Sequence, residues 1–380
     1  MIPRRICQIN LSAALGGAEV YTHFFTQALL ANGCETELFV REGAAYWKSF
    51  EFGGARVTPV RGAGEIAGRL SGAPRWLVVH APVPSIDLDG LRGRHRLAGF
   101  AHQALYNHQR PAYYDLSHLL VPVSQYVKTT LAREGLGPIY PEPLLGVADL
   151  SRRASAGASI VDRPLYDWDR NKLRDRVLSW MYPLWRAITP RQSFSRRPGL
   201  TLGIVSRIAP LKQFAAQFEL LAPILAAFPQ VSLEIFGSGV GFRPVRDLRR
   251  ALAPIADRVR FWGEQGDVAM IYPQLDYLLT GLPEREALGL NVLEAQTCGT
   301  PVLAVRAPPF TETVAEGETG FFYTDPREDR GADFRKLMQR LVTAPDRPDP
   351  RLATAHLERF SMPAFVARVG RLADHLTAPA

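Results

Sequence analysis

The chain has 380 residues, 47% apolar and 22% charged, with a formal net charge of +8. This is a soluble globular composition with ample core, long enough for one large or two medium domains. No stretch approaches the roughly 20 apolar residues of a membrane span, and Cys7, Cys34 and Cys298 are too few and too scattered for a disulfide framework or a zinc site. A reducing cytoplasm is therefore the default, and the positive charge fits an anionic ligand, an anionic membrane surface or nucleic acid without deciding among them.

The N-terminus, MIPRRICQINLSA, lacks the long apolar run of a signal peptide and reads as a first strand, RICQINLS. Leu15-Gly16-Gly17-Ala18-Glu19 follows as a turn into an amphipathic helix, VYTHFFTQALLANG, with Gly33 near its stop. ETELFV, RWLVVHA and HLLVPVS are further strands. At about residues 151–198 the pattern breaks. That segment holds eleven Lys or Arg against four Asp, and three of the six tryptophans, Trp168, Trp180 and Trp185. It reads as a linker or an insertion with its own surface role. Strands then alternate with helices again. LTLGIVSR, VSLEIFGSG, VRFWG, LDYLLTG, PVLAV and GFFY are strand-like, and LKQFAAQFELLAPILAAFP and DLRRALAPIADRV helical. Strands spaced by helices predict βαβ units on parallel sheets. Two such runs predict two Rossmann-like domains across a cleft, with ligands outside the carboxyl ends of the strands.

Three loops at such ends have the chemistry of anion sites. Gly16 and Gly17 permit a tight turn and close backbone approach where a helix begins. They do not form G-x-G-x-x-G, and G-x-x-x-x-G-K-[ST] is absent, so dinucleotide and P-loop readings lose their best support. In SRIAPLKQF, Arg207 ends a strand and Lys212 is expected in the first turn of the next helix. Cations there oppose the helix dipole at about 0.3–1 kcal/mol each, and a diphosphate would supply the reason for both. Gly237-Ser238-Gly239 is the third loop. Solvated cations and structural turns are the alternatives.

EREALGLNVLEAQTCGTPV carries Glu286 and Glu294, eight residues apart. If fully helical, that spacing rises about 12 Å, too wide for a glycosidase pair. The two carboxylates then read different ends of one long ligand. Leu288, Gly289 and Leu290 would offer N–H groups at the helix start. One capping and one surface glutamate is the simpler alternative.

Together, GGAE (16–19), VPVSQYVKTTL (121–131), SRIAPLKQ (206–213), FGSG (236–239), the E-x7-E pair, EAQTCGTPV (294–302) and EGETGFFY (316–323) resemble the retaining, nucleotide-sugar-dependent glycosyltransferases of family GT4, with GT-B architecture. The resemblance implies that Glu286 contacts the donor sugar, Glu294 the ribose, and Arg207 and Lys212 the diphosphate. It implies that Phe261-Trp262-Gly263-Glu264 border the base, largely through backbone. It also implies transfer by front-face attack with no metal and no cofactor beyond the donor, a UDP- or GDP-linked hexose. The histidine near the sugar is assigned to His108 in YNHQRP, with His80 in reserve. Thr280-Gly281-Leu282-Pro283, Ala287-Leu288-Gly289 and Ala307-Pro308-Pro309-Phe310-Thr311-Glu312 depart from the family's usual residues, so the sugar pocket is unusual.

The resulting division is 1–150 as an acceptor-side domain, 151–198 as the basic insertion, 199–355 as the nucleotide-sugar domain, and 356–380 as a helix returning to the first domain. The expected acceptor is a glycan, lipid-linked or small-molecule hydroxyl, in cell-envelope polysaccharide synthesis. The expected place is the cytoplasm, with a peripheral seat on the inner membrane face. There LRDRVLSWMYPLWRAI would lie as an interfacial helix kinked at Pro183; its apolar residues could instead pack onto the first domain. The rivals are a sugar-nucleotide epimerase, a non-catalytic sugar-nucleotide scaffold, and a nucleic-acid binder, for which no recognised module is visible.

Overall fold

The structure, a computed structural model, describes residues 4–13, 15–70, 75–80, 85–106, 110–147, 159–163, 172–188, 191–239, 242–343 and 347–378. Five helices carry the argument: α1 (Gly17–Ala31), α2 (Leu173–Ile188), α3 (Phe214–Leu225), α4 (Leu290–Thr297) and α5 (Met362–Thr377). The chain divides into two compact units, Met1–Ala148 with Glu358–Ala380, and Asp149–Leu357.

The first unit contains β1 (Arg5–Asn10), β2 (Glu35–Arg41), β3 (Arg56–Val60), β4 (Trp76–Val79), β5 (Arg96–Ala101) and β6 (Leu119–Pro122). They form one parallel sheet in the order β3-β2-β1-β4-β5-β6. The strand order reverses between β1 and β4, which is the ligand-bearing switch point of doubly wound sheets. Helix α1 buries Phe24, Phe25, Ala28 and Leu29. Helix α5 belongs to this unit and packs on α1. Asn32, just past α1, donates from its amide to the Val366 carbonyl at 2.9 Å, and the Tyr21 and Phe365 rings meet edge-on at 5.4 Å.

The second unit repeats the plan with β7 (Leu200–Val205), β8 (Val231–Phe236), β9 (Val259–Gly263), β10 (Tyr277–Leu279), β11 (Val302–Val305) and β12 (Gly320–Tyr323). Its parallel order is β12-β11-β10-β7-β8-β9, with the reversal between β7 and β10. Alternate strand residues feed opposite faces. Leu202, Ile204, Leu233, Ile235 and Leu303 join Phe218 and Phe334 in one core. Val205, Phe236, Leu278, Val302 and Ala304 join Trp262, Tyr272 and Val292 in the other. A sheet buried on both faces reads as continuous apolar runs, which is why these strands were legible.

The 151–198 segment is not wholly a separate insertion. Its described parts at 159–163 and 191–197 close onto the second unit. Val161 bridges Ser193, Phe194 donates its N–H to the Ile160 carbonyl at 2.9 Å, and Arg163 donates its N–H to the Trp262 carbonyl at 2.7 Å. Helix α2 continues through Pro183 to Ile188.

Candidate functional site

The exits of β7 and β10 meet at the second unit's switch point. After β7 the chain passes Ser206 and the exposed Arg207, then buries Ile208. Arg207's guanidinium has no partner among the described residues. Lys212 is not in the first turn of α3, as the sequence suggested. It ends a separate 3-10 turn, Pro210–Lys212, and Gln213 then adopts a left-handed conformation (φ 55°) before α3 starts at Phe214. The turn arises because Pro210 fixes its own φ at the first position.

The loop leaving β10 lies directly against this turn. At Gly281 a Cβ would sit 2.3 Å from the Lys212 carbonyl oxygen, so only glycine allows the approach. Two residues then clasp the turn from the loop. Glu286 pairs with the Lys212 ammonium, the two side chains 16% and 21% exposed. Glu284 accepts from the Gln213 amide at 2.9 Å and pairs with Arg327, which also holds Asp325 at 2.5 Å. Glu286 sits in a turn, its N–H bonded to the Pro283 carbonyl at 2.9 Å. The helical rise computed from the eight-residue spacing therefore does not apply, because α4 begins only at Leu290.

Gly289 caps α4 with φ 81°, and its carbonyl accepts the Val292 N–H at 2.9 Å. The N–H groups of Leu290 and Asn291 precede that first bond. Leu288 is buried, Leu290 half-buried. Asn291 donates its amide to the Val205 carbonyl at 3.1 Å, pinning the start of α4 to the end of β7. Glu294, one turn into the helix, accepts from the Tyr272 hydroxyl at 2.8 Å, a partner the sequence gave no sign of. The two glutamates thus have different neighbours: a cation for Glu286, a phenol for Glu294.

Gly237 and Trp262 are explained from within the fold. Gly237 has φ 137°, and a Cβ there would lie 1.9 Å from the Ser206 carbonyl oxygen. Glycine is required so that the exits of β7 and β8 can touch. The Trp262 ring is 2% exposed, stacks on Phe236 and donates its N–H to the fully buried Glu234 at 2.6 Å. Arg260 pairs with the same carboxylate at 2.5 Å, so the buried charge is satisfied. The Trp262 carbonyl takes the Arg163 N–H. The Trp262 ring is therefore core and its carbonyl has a protein partner at the end of β9.

In the first unit, Gly16 is the N-cap of α1 at φ −160°, an extended geometry any residue adopts, and Gly17 is the first helical residue. His108 lies outside the described residues. His80 does not face an open edge. It is 1% exposed, stacks on Phe100 at 4.6 Å and approaches the Gln8 amide oxygen at 3.1 Å. Its Nδ1 is 3.3 Å from Nε2 of His102. Burial, then the neighbouring imidazole, holds the His80 pKa well below its ordinary value, and burial lowers His102 to about 3. Both are neutral at physiological pH. His102, immediately after β5 and only partly buried, was missed because RLAGFA was not read as a strand.

Residues 187–347 match the family model described as glycosyl transferases group 1. The chain is 36% identical over 180 residues to a D-inositol 3-phosphate glycosyltransferase of Stackebrandtia nassauensis, covering 43% of this chain and 38% of that protein. It is 34% identical over 104 residues to an N-acetyl-alpha-D-glucosaminyl L-malate synthase of Bacillus anthracis, covering 26% and 27%. The chain thus spans well under half the length of these curated relatives. The crystal structure of Anabaena HepE in complex with UDP superimposes with a TM-score of 0.68 at 15% identity, over 98% of this chain and 100% of that one. Residues 187–347 are thus similar to the glycosyl transferases group 1, and the two Rossmann-like units have the GT-B fold.

Proposed function

We propose that this chain is a retaining, metal-independent glycosyltransferase. It moves a hexose-type sugar from a nucleoside-diphosphate sugar, UDP- or GDP-linked, to a hydroxyl of a glycan, lipid-linked or small-molecule acceptor. The observation that carries this reading is the convergence at the β7/β10 switch point of Arg207, the Lys212–Glu286 pair and the first N–H groups of α4. Arg207 and Lys212 offer charge-assisted bonds to the departing diphosphate, where negative charge grows as the sugar–oxygen bond breaks. The second oxygen of Glu286 is left to accept from a sugar hydroxyl. Glu294, oriented by Tyr272, suits the vicinal hydroxyls of ribose. In the step itself the anomeric carbon loses its phosphate oxygen and gains the acceptor oxygen on the same face, and the acceptor proton passes to the leaving phosphate.

The relatives' names, a D-inositol 3-phosphate glycosyltransferase and an N-acetyl-alpha-D-glucosaminyl L-malate synthase, support a sugar-transfer reaction, and the HepE structure holds UDP. Within this reading His108 is the catalytic histidine. His108→Ala should cut transfer and leave nucleotide binding unchanged; if His102→Ala does so and His108→Ala does not, the role moves to His102. The enzyme works in the cytoplasm, and the favoured acceptor is an envelope or lipid-linked glycan met at the inner membrane face. Incubation with a panel of nucleotide sugars and acceptors, followed by NMR of the new anomeric linkage, tests the proposal. A product with the donor's anomeric configuration is expected. Inversion, or donor turnover that never needs an acceptor, contradicts it.

A further inference from the structure

Nine large apolar side chains stand exposed among the described residues, and seven of them are on α2: Leu173, Val177, Leu178, Trp180, Met181, Leu184 and Ile188. Trp180 is 82% exposed, Ile188 77%, Leu173 74% and Leu184 73%. At about 100° per residue, Leu173, Val177, Trp180, Met181, Leu184 and Ile188 fall within one arc of about 100°. That is the width of a stripe built to be buried, and here it faces solvent. A soluble surface scatters its apolar residues singly, whereas a contiguous stripe marks an interaction site.

Charge selects the occupant. Arg174 and Arg176, both exposed, flank the stripe on either side, and their long stems let the guanidinium groups rise above an apolar layer. The surrounding 151–198 segment carries eleven Lys or Arg against four Asp. Pairing with a second copy would bring two such positive segments together. An anionic bilayer instead attracts the arginines at its headgroups and buries the stripe below them, with tryptophan suited to the interface. No helix among the described residues is long and apolar enough to cross a membrane, so the helix lies in the interface rather than through it.

We infer that α2 is an interfacial anchor that seats this protein on an anionic lipid surface through the Leu173–Ile188 stripe. The inference rests on α2 itself, and it deepens the transferase reading by giving the acceptor's setting. It stands or falls separately from catalysis. The test is co-sedimentation of the full chain with vesicles of phosphatidylcholine alone, or with phosphatidylserine added, at low and high salt. The wild type should pellet with the anionic vesicles and be released by salt. Arg174→Glu with Arg176→Glu should lower partitioning by at least on the order of tenfold. Trp180→Ser with Leu184→Ser should lower it even at low salt. Unchanged thermal melting of both variants shows that their folds are intact. UDP and GDP titrations report on the transferase reading alone, whatever the vesicles show. Wild type left in the supernatant with anionic vesicles at low salt overturns the inference. So does a dimer that Trp180→Ser with Leu184→Ser converts to monomer, which would make a second copy the occupant.

Discussion

The Lys212–Glu286 pair gives the candidate site a resting state in which each charge already has a partner. A diphosphate entering must share or take Lys212, so the glutamate both presents the lysine and competes for it. Lys212→Ala should therefore weaken nucleoside-diphosphate binding by on the order of tenfold to a hundredfold, the range of a charge-assisted hydrogen bond. Arg207→Ala should weaken it less, because that side chain is exposed and its field is screened. Glu286→Gln should leave binding of the free diphosphate equal or tighter while transfer collapses. Glu294→Gln and Tyr272→Phe should weaken the nucleotide itself by several-fold. Calorimetry with UDP and GDP, alongside turnover, separates these outcomes, and one common profile for Glu286→Gln and Glu294→Gln would contradict the division of roles. The residue types at 207, 212, 286 and 294 were legible from the sequence because charges beside apolar strands need a reason. Their partners were not. Tyr272 and Glu284 reach the site only through the fold, and the burial of the Trp262 ring likewise comes only with the fold.

Most of the strands announced themselves as apolar runs, and the two that did not have physical excuses. β3, RVTPV, contains Pro59, which a sheet tolerates at its edge, where β3 lies. β5, RLAGFA, has small residues at three of its six positions, and at Gly99 a Cβ would lie 2.4 Å from the Ser117 hydroxyl oxygen. Missing β5 hid His102 at its end. The imidazoles at the ends of β4 and β5 make the first unit acid-sensitive. Both pKa values are lowered by folding, so below the ordinary value of 6.5 the unfolded chain binds more protons than the folded one. The stability they leave intact above about pH 6.5 is lost progressively as pH falls toward 3. Thermal melts across that range should show a falling midpoint, with a shallower fall in a His80→Gln, His102→Gln variant. An equal slope in the variant would assign the acid sensitivity elsewhere. At the β8 exit, Gly237→Ala should push the Ser206 backbone away, lowering stability by about 1–3 kcal/mol and weakening nucleotide binding with it. A variant that melts and binds like the wild type would remove the close approach from the account.

At the scale of the whole molecule, the sequence announced the architecture through repetition. The same strand order occurs in both units, and the composition provides two cores. The boundary region was legible only as a break. Its basic, tryptophan-bearing composition could not say which parts join a sheet edge and which stay in solvent, because burial depends on what the fold places nearby. The structure divides it, with residues 159–163 and 191–197 closing onto the second unit and α2 exposing its apolar face. The central claim is that the second unit's switch point is a nucleotide-sugar site centred on Lys212. Its most direct test is a calorimetric titration of UDP-, GDP-, ADP- and dTDP-sugars into the wild type and Lys212→Ala. The account predicts that at least one donor binds the wild type, with an affinity that falls by on the order of tenfold or more in the variant. No binding by any of the four classes, or equal affinity in the two proteins, would contradict it.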